Sequence, residues 1–425
     1  MVARGNTTFY IALAHTDAIA HLSETGERVL MSILRLLPNS LRENLLFSIS
    51  FDHTIHMTTG LKKPRNIPKA LGNAKPKRLF ADCGAFQYRG QSNPSFDDGI
   101  PVSAQSAWER YQVGHLNNGN TSKWKDILLC SPDQIITRDM NQREASLRNR
   151  FTLTEAQKFI ELTKHDTRVT PVAVIQGKTL ATRKKSLERY IEMGYKYVAL
   201  GGIVPYSTNV GGVLKMVAGI RDINKPTIGK GSILDRCRQA GVKLHILGLN
   251  SPEWFRWWIR LGIDSFDGSK LSTEGAANGW YWIAMDGKGG RKTPKKPNSA
   301  ADLYRRFAVK KIGLDEKTWG RGPISRPFLI GKFPVDGIST RCWCKACQTL
   351  YSWRCASKIC QIAGGRTHMS DPRVMGSREH NMGRVVHNAH VLDWMVRKMK
   401  RLNKKANAAG KLEPADWRCN WTSIY

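Results

Sequence analysis

Eight short runs of β-branched and other apolar residues recur along the first 269 positions of the chain, and their character narrows the fold more than any other feature. They are "FYIALA" from Phe9, "LLFSISF" from Leu45, "RLFADCGAF" from Arg78, "DQIITRD" from Asp133, "PVAVIQG" from Pro171, "YKYVALGG" from Tyr195, "KLHILGL" from Lys243 and "SFDGS" from Ser265. Several are apolar on both faces, which marks strands of a parallel sheet covered on both sides. Between them, "TLTEAQKFIELTKH" and "LATRKKSLERYIEMG" have the periodicity of amphipathic crossover helices. After the seventh run, "NSPEWFRWWIRLG" offers Ser251 as N-cap and Pro252 as first helical residue, with Trp254, Trp257 and Trp258 available for packing. Eight such units predict an α/β fold, a (β/α)8 barrel. A doubly wound open sheet is the alternative, weakened because no glycine-rich phosphate loop follows the first run.

In such a barrel, chemistry gathers at the C-terminal ends of the strands. Asp82 and Gln87 fall at or just beyond the end of the third run, Asp139 ends the fourth, Gln176 and Gly177 the fifth, Gly201 and Gly202 the sixth, and Asp267 the eighth. Asp and Gly are also ordinary strand-ending residues, so it is the set rather than any one position that points to a shared pocket. Several carboxylates around a small pocket suit chemistry at a glycosidic bond, where one attacks the anomeric carbon and another handles the proton of the leaving group. Gln supplies both donor and acceptor, and glycines allow backbone N–H groups close to the edge of a flat polar base.

Charge identifies the class of partner. With 67 Lys+Arg against 34 Asp+Glu, the formal net charge of +33 favours a polyanion, and nucleic acid is the expected one. A membrane surface is the weaker candidate. No basic amphipathic segment stands apart from the fold, and no run reaches the roughly 18 apolar residues of a membrane span. The opening "MVARGNTTFYIALAHTDAIAHL" has no long apolar stretch, so the protein is expected to work in the cytoplasm. Its nine cysteines are then expected to be reduced, and a cluster of them reads as metal ligands.

That cluster is "RCWCKACQ", with Cys342, Cys344 and Cys347 in a CxCxxC spacing, followed by "VVHNAH" with His387. Three thiolates and one imidazole form a closed tetrahedral zinc site, structural because no position is left for water. His387 is the chosen fourth ligand; His368, His380 and His390 are alternatives, and Cys355 and Cys360 could compete.

These stretches resemble the tRNA-guanine transglycosylase superfamily. "FADCGAFQ" is similar to its DSGG(F/Y)Q motif, "VAVIQG" to its VQGG strand and "YVALGGI" to its IGGL segment. "HILGLNSPEWFRWWIRLGIDSFD" resembles the stretch that carries the family's nucleophile, and "CWCKAC" with "VVHNAH" resembles its zinc motif. The resemblance implies a (β/α)8 barrel with a zinc subdomain inserted before the last barrel helix. Expected boundaries are residues 1–310 for the barrel, with a basic insertion near 286–311, then 311–387 for the zinc subdomain. Residues 388–425 would form the last helix, with Leu392, Met395, Val396, Met399 and Leu402 at helical spacing, and a basic tail. It further implies exchange of guanine in a nucleic acid for a 7-deazaguanine base, without ATP. Asp267 would be the nucleophile and Asp82 the general acid/base. Phe86 would stack on the base; Gln87, Asp139, Gln176, Gly201, Gly202 and Ile203 would line its site.

Departures from the family bear on the substrate. Members acting on tRNA follow the nucleophile with an arginine-bearing loop, whereas here the chain runs "FDGSKLSTEGAANGWYW". Cys83, Ala85 and Leu247 replace the family's Ser, Gly and Met. A basic stretch follows, and its Lys288, Arg291, Lys292, Lys295 and Lys296 can neutralise phosphates without reading sequence. The combination is most similar to the DNA-guanine transglycosylases (DpdA type), which place 7-deazaguanines, commonly 7-cyano-7-deazaguanine (preQ0), in DNA and shield it from restriction nucleases. A divergent tRNA-acting enzyme and a non-catalytic zinc-containing nucleic-acid-binding subunit are the alternatives. Accessory proteins remain a further possible class of partner.

Overall fold

The computed structural model describes residues 7–12, 37–49, 53–55, 62–64, 76–116, 124–222, 226–250 and 252–268, with 389, 392–393, 396–397 and 400. The chain divides into two compact units, one of Met1–Met31 with Leu41–Ser269 and one of Ser32–Ser40 with Lys270–Tyr425.

The first unit is a closed barrel of parallel strands. Its members are β1 (Thr8–Ala12), β2 (Asn44–Ser48), β5 (Arg78–Asp82), β6 (Asp126–Cys130), β7 (Val169–Ile175), β8 (Tyr197–Leu200), β9 (Lys243–Ile246) and β10 (Ser265–Gly268). They follow one another around the barrel in chain order, and β10 closes it by pairing with β1. An antiparallel hairpin, β3 (His53–Ile55) with β4 (Lys62–Pro64), lies in sequence between β2 and β5. The α/β barrel expected from the sequence is thus present, and seven of the eight runs supply its strands.

The fourth run does not. The strand is "DILLC", Asp126–Cys130, and "DQIITRD" follows it as a loop. The reason lies in where the backbone donors go. The N–H of Gln134 donates to Thr152 Oγ1 at 3.1 Å and that of Ile136 to Gln176 Oε1 at 3.3 Å. Side chains thus satisfy buried groups that a strand would commit to its neighbours.

Alternation along each strand builds two apolar layers. Tyr10, Leu46, Phe80, Leu128, Val172 and Val174 belong to one buried cluster with Tyr197 and Ala199. The residues between them, such as Ile11, Leu45, Leu79 and Val198, are also fully buried, which is why the runs read as apolar on both faces.

The helices have the local features their sequences promise. α1 (Ala104–Tyr111) and α3 (Leu180–Glu192) each begin with a capping box, Ser103 with Ser106 and Thr179 with Thr182. α2 (Gln142–Thr163) is capped by Asn141, which accepts from Glu144 N at 2.8 Å. α4 (Val210–Ala218) and α5 (Ile233–Gln239) follow β8. α6 (Pro252–Leu261) begins at the expected proline; its Trp254 and Trp258 stack at 5.0 Å, and Trp258 Nε1 donates to Leu249 O at 2.9 Å. Burial of aromatic groups this large stabilises by about 3 kcal/mol each. The Tyr111 hydroxyl, at the end of α1, donates between Ala81 O at 3.2 Å and Cys130 O at 2.9 Å, fastening the outgoing ends of β5 and β6. No helix among the described residues is long and apolar enough to cross a membrane.

In the second unit, Ala389, Leu392, Asp393, Arg397 and Lys400 are helical. Ala389 and Leu392 are fully buried, and Asp393 pairs with Arg397 at 2.6 Å and accepts a hydrogen bond from the Ser40 hydroxyl.

Candidate active site

Each barrel strand delivers its last residues to one end, and the carboxylates arrive there. Asp82 is the final residue of β5, aligned with Ser48 of β2. Beyond it the chain turns at Gly84, whose φ of 82° suits glycine, and the Gly84 N–H donates to Asp82 Oδ2 at 3.1 Å. Burial, followed by the Asp133 and Asp267 carboxylates, pushes the Asp82 pKa up to about 7. Those like charges tie Asp82 to Asp133 and Asp267 around the barrel mouth.

Asp133 is the carboxylate that sequence reasoning missed. It lies three residues beyond β6 and is 2% exposed. Cys83 Sγ donates to its Oδ1 at 3.1 Å and Gln176 Nε2 to its Oδ2 at 2.7 Å. Burial raises its pKa to about 6, against the lowering effect of those two hydrogen bonds. Cys83, which stands where the family has Ser, also accepts from the Tyr88 hydroxyl at 3.3 Å; burial pushes its thiol pKa well up, so it serves as a neutral donor. Asp139, expected in this role, lies exposed on the surface. The Thr137 side chain lowers its pKa by hydrogen bonding, with Lys178 as a weaker influence. The available signal was the Ser-Pro-Asp that follows "DILLC"; treating Asp133 as the start of a strand concealed it.

Gln176, just past β7, is 1% exposed and held at both ends, by Asp133 and by the Ile136 N–H. Its neighbours across the β7/β8 boundary must be glycines. A Cβ on Gly201 would lie 2.5 Å from Gln176 Nε2, and one on Gly202, whose φ is 64°, would lie 2.7 Å from Gln176 Oε1. Behind them the buried Arg183 of α3 donates to Gly201 O at 2.7 Å and Gly202 O at 3.3 Å. Burial lowers its pKa to about 10, leaving it a cation at neutral pH. Ile203 is fully buried. Phe86, by contrast, is 60% exposed with the Arg89 guanidinium 3.8 Å over its ring, and Gln87 is exposed.

Asp267 occupies the end of β10 and is 7% exposed. Its Oδ1 accepts from the Gly248 N–H at 3.0 Å and lies 3.0 Å from His245 Nε2. The backbone of Gly248 has a φ of 77°, and a Cβ there would lie 2.7 Å from Val204. The structure therefore brings Asp82, Asp133, Gln176, Gly201, Gly202 and Asp267 into one linked set.

Among the described residues no group of three His, Cys, Asp or Glu side chains could hold a metal ion. Cys342, Cys344, Cys347 and His387 lie outside the described residues, as do Lys288, Arg291, Lys292, Lys295 and Lys296. Three thiolates and one imidazole nevertheless remain a donor set that suits zinc.

Fold and site define a parallel eight-stranded α/β barrel with a carboxylate-lined mouth, the arrangement that the guanine transglycosylase resemblance implies. Consistent with that resemblance, the chain is 28% identical over 190 residues to the DNA-guanine transglycosylase of Salmonella montevideo. The match covers 45% of this chain and 40% of that relative's length. No family model matches the chain.

Proposed function

We propose that the protein is a guanine transglycosylase acting on DNA, exchanging guanine for a 7-deazaguanine such as 7-cyano-7-deazaguanine. The observation that carries this reading is the pairing of Asp82, titrating near neutrality, with Asp267, held through one carboxylate oxygen, at a single barrel mouth. The name of the curated relative supports DNA as the substrate class.

The exchange is a double displacement. Asp267 Oδ2 attacks C1′ of the target nucleotide, the C1′–N9 bond breaks, and its electrons leave on guanine, which takes a proton from Asp82. The incoming 7-deazaguanine then gives its N9 proton to Asp82; N9 attacks C1′ and Asp267 is released. A pKa of about 7 lets Asp82 act as acid in one half and base in the other. Asp133 takes the base-reading role first assigned to Asp139. A carboxylate has about four acceptor sites, so its two internal donors leave room for the guanine N1–H and 2-amino groups. Gln176, Gly201, Gly202 and Ile203 shape the rest of the pocket, and Phe86 stacks on the base.

A paired guanine must leave its stack to reach such a mouth, at a cost of a few kcal/mol. The net charge of +33 supplies an attraction to phosphate that offsets part of it. Zinc held by Cys342, Cys344, Cys347 and His387 would fold a platform for nucleic acid and take no part in the exchange. Modified bases would in turn shield the DNA from restriction nucleases.

The test is incorporation of labelled guanine and labelled 7-cyano-7-deazaguanine into duplex DNA, single-stranded DNA and tRNA, with Asp267→Ala as control. Label in DNA that is lost in the variant is expected. Label in tRNA alone would overturn the DNA assignment, and DNA binding without exchange would favour the non-catalytic subunit.

A further inference from the structure

The interior of the barrel contains a polar chain that the exchange reaction does not by itself require. Tyr197 Oη lies 2.6 Å from Ser265 Oγ, Ser265 Oγ lies 2.6 Å from His245 Nδ1, and His245 Nε2 lies 3.0 Å from Asp267 Oδ1. Strand register creates the chain: Ser265 of β10 is paired with His245 of β9, and alternation turns Asp267 to the same interior face as Ser265. His245 and Ser265 are fully buried, and the imidazole stacks on Phe80 with ring centroids 4.1 Å apart. Burial of three polar groups in a largely apolar barrel interior is costly unless each is satisfied, so the chain calls for a role.

The roles of the atoms follow from the carboxylate upward. Ionised Asp267 can only accept, so His245 Nε2 must carry a hydrogen. A neutral imidazole then has its lone pair on Nδ1, which must accept, so Ser265 donates to it. Ser265 in turn accepts from the Tyr197 hydroxyl, whose pKa burial pushes well up, keeping it a donor. An imidazolium would donate from both nitrogens, so Ser265 would accept from it as well as from Tyr197 and its own hydrogen would lose the Nδ1 lone pair. Ser, His and Asp in one chain resemble a hydrolase triad, but full burial removes Ser265 from any substrate.

We propose that His245 is a positioning residue for the exchange. With Ser265 and Tyr197 it fixes one tautomer, so that Nε2–H and the Gly248 N–H together hold Oδ1 of Asp267 and leave Oδ2 aimed at the sugar. The inference rests on Asp267 being the nucleophile. Rigid placement of the attacking oxygen acts on the chemical step rather than on substrate binding.

The test compares exchange kinetics of the full chain with its His245→Phe, His245→Gln and Ser265→Ala variants, using Asp267→Ala as reference. His245→Phe keeps the stacking but lacks the donor; its kcat is expected to fall about 100-fold with KM within about twofold. The Gln amide can still donate to Asp267, so His245→Gln should recover most of that loss. Ser265→Ala should lower kcat alone, by about tenfold. A wild-type kcat for His245→Phe, beside an inactive Asp267→Ala, would overturn the inference and leave the proposed function standing. An active Asp267→Ala would instead remove the nucleophile assignment. Should His245→Phe fail to fold, 15N NMR of the wild-type imidazole, assigned against His245→Gln, decides. Hydrogen on Nε2 alone is expected, whereas hydrogen on Nδ1 at neutral pH would overturn the inference.

Discussion

Gln176 donates from Nε2 to Asp133 Oδ2 at 2.7 Å, and the two glycines of β8's outgoing end stand where any side chain would strike that amide. The polar lining at this end of the barrel is therefore built from a carboxylate, an amide locked against it, and bare backbone. A site of this kind loses heavily when one member is removed, because its partners are left buried and unpaired.

Asp133 and Asp139 separate the two candidate base readers. Asp133→Asn should reduce kcat/KM by about 10- to 100-fold, the range for one hydrogen bond to a charged group. Asp139→Asn, at an exposed position, should stay within about twofold. Steady-state exchange with the free base as varied substrate checks both.

Asp82 should leave a signature in stability as well as rate. Its folded pKa of about 7 lies above the ordinary carboxylate value, so between about pH 4 and pH 7 the native state holds more protons than the unfolded chain. Stability from this group therefore falls as pH rises through that window and then levels off. Asp82→Asn removes the fall. Its melting temperature, relative to wild type, should climb from pH 5 to pH 7 and then hold, while kcat drops by about 10²- to 10⁴-fold. A constant melting difference across those pH values would contradict the shift.

Much of this is legible in the sequence. Several of the eight runs are apolar on both faces, as covered strands are, and seven of the eight are barrel strands. Asp82, Gln176, Gly201, Gly202 and Asp267 were readable because a barrel puts strand ends at its mouth. What was not legible depended on side chains acting as backbone partners. Thr152 and Gln176 satisfy the loop from Asp133 to Ile136, and nothing local in "DQIITRD" announces that. His245 was a polar residue at an interior phase of "KLHI", a signal that gains meaning only once register places Ser265 beside it.

Arg183 supports the pocket from behind. Arg183→Met removes the donors to Gly201 O and Gly202 O and should cost about 1–3 kcal/mol of stability. Free to shift, the glycine pair should bind base about tenfold more weakly, while kcat changes less. Thermal melts together with KM for the free base measure the two effects.

The proposed zinc site makes a prediction about ligands. One zinc per chain is expected by metal analysis, lost in Cys344→Ser and His387→Ala and retained in His390→Ala. Its removal should weaken DNA binding while the barrel's thermal transition persists. Retention of the metal in His387→Ala would move the fourth ligand elsewhere.

The central claim is a covalent bond from Asp267 to the sugar of DNA, and its most direct measurement is capture of that adduct. The protein is mixed with guanine-containing duplex, quenched in denaturant before a second base can enter, resolved on a denaturing gel and mapped by peptide mass. A protein–DNA species attached through Asp267, absent in Asp267→Ala, is the expected result. Base exchange into DNA with a bond to any other residue, or through no protein-bound species, would contradict it.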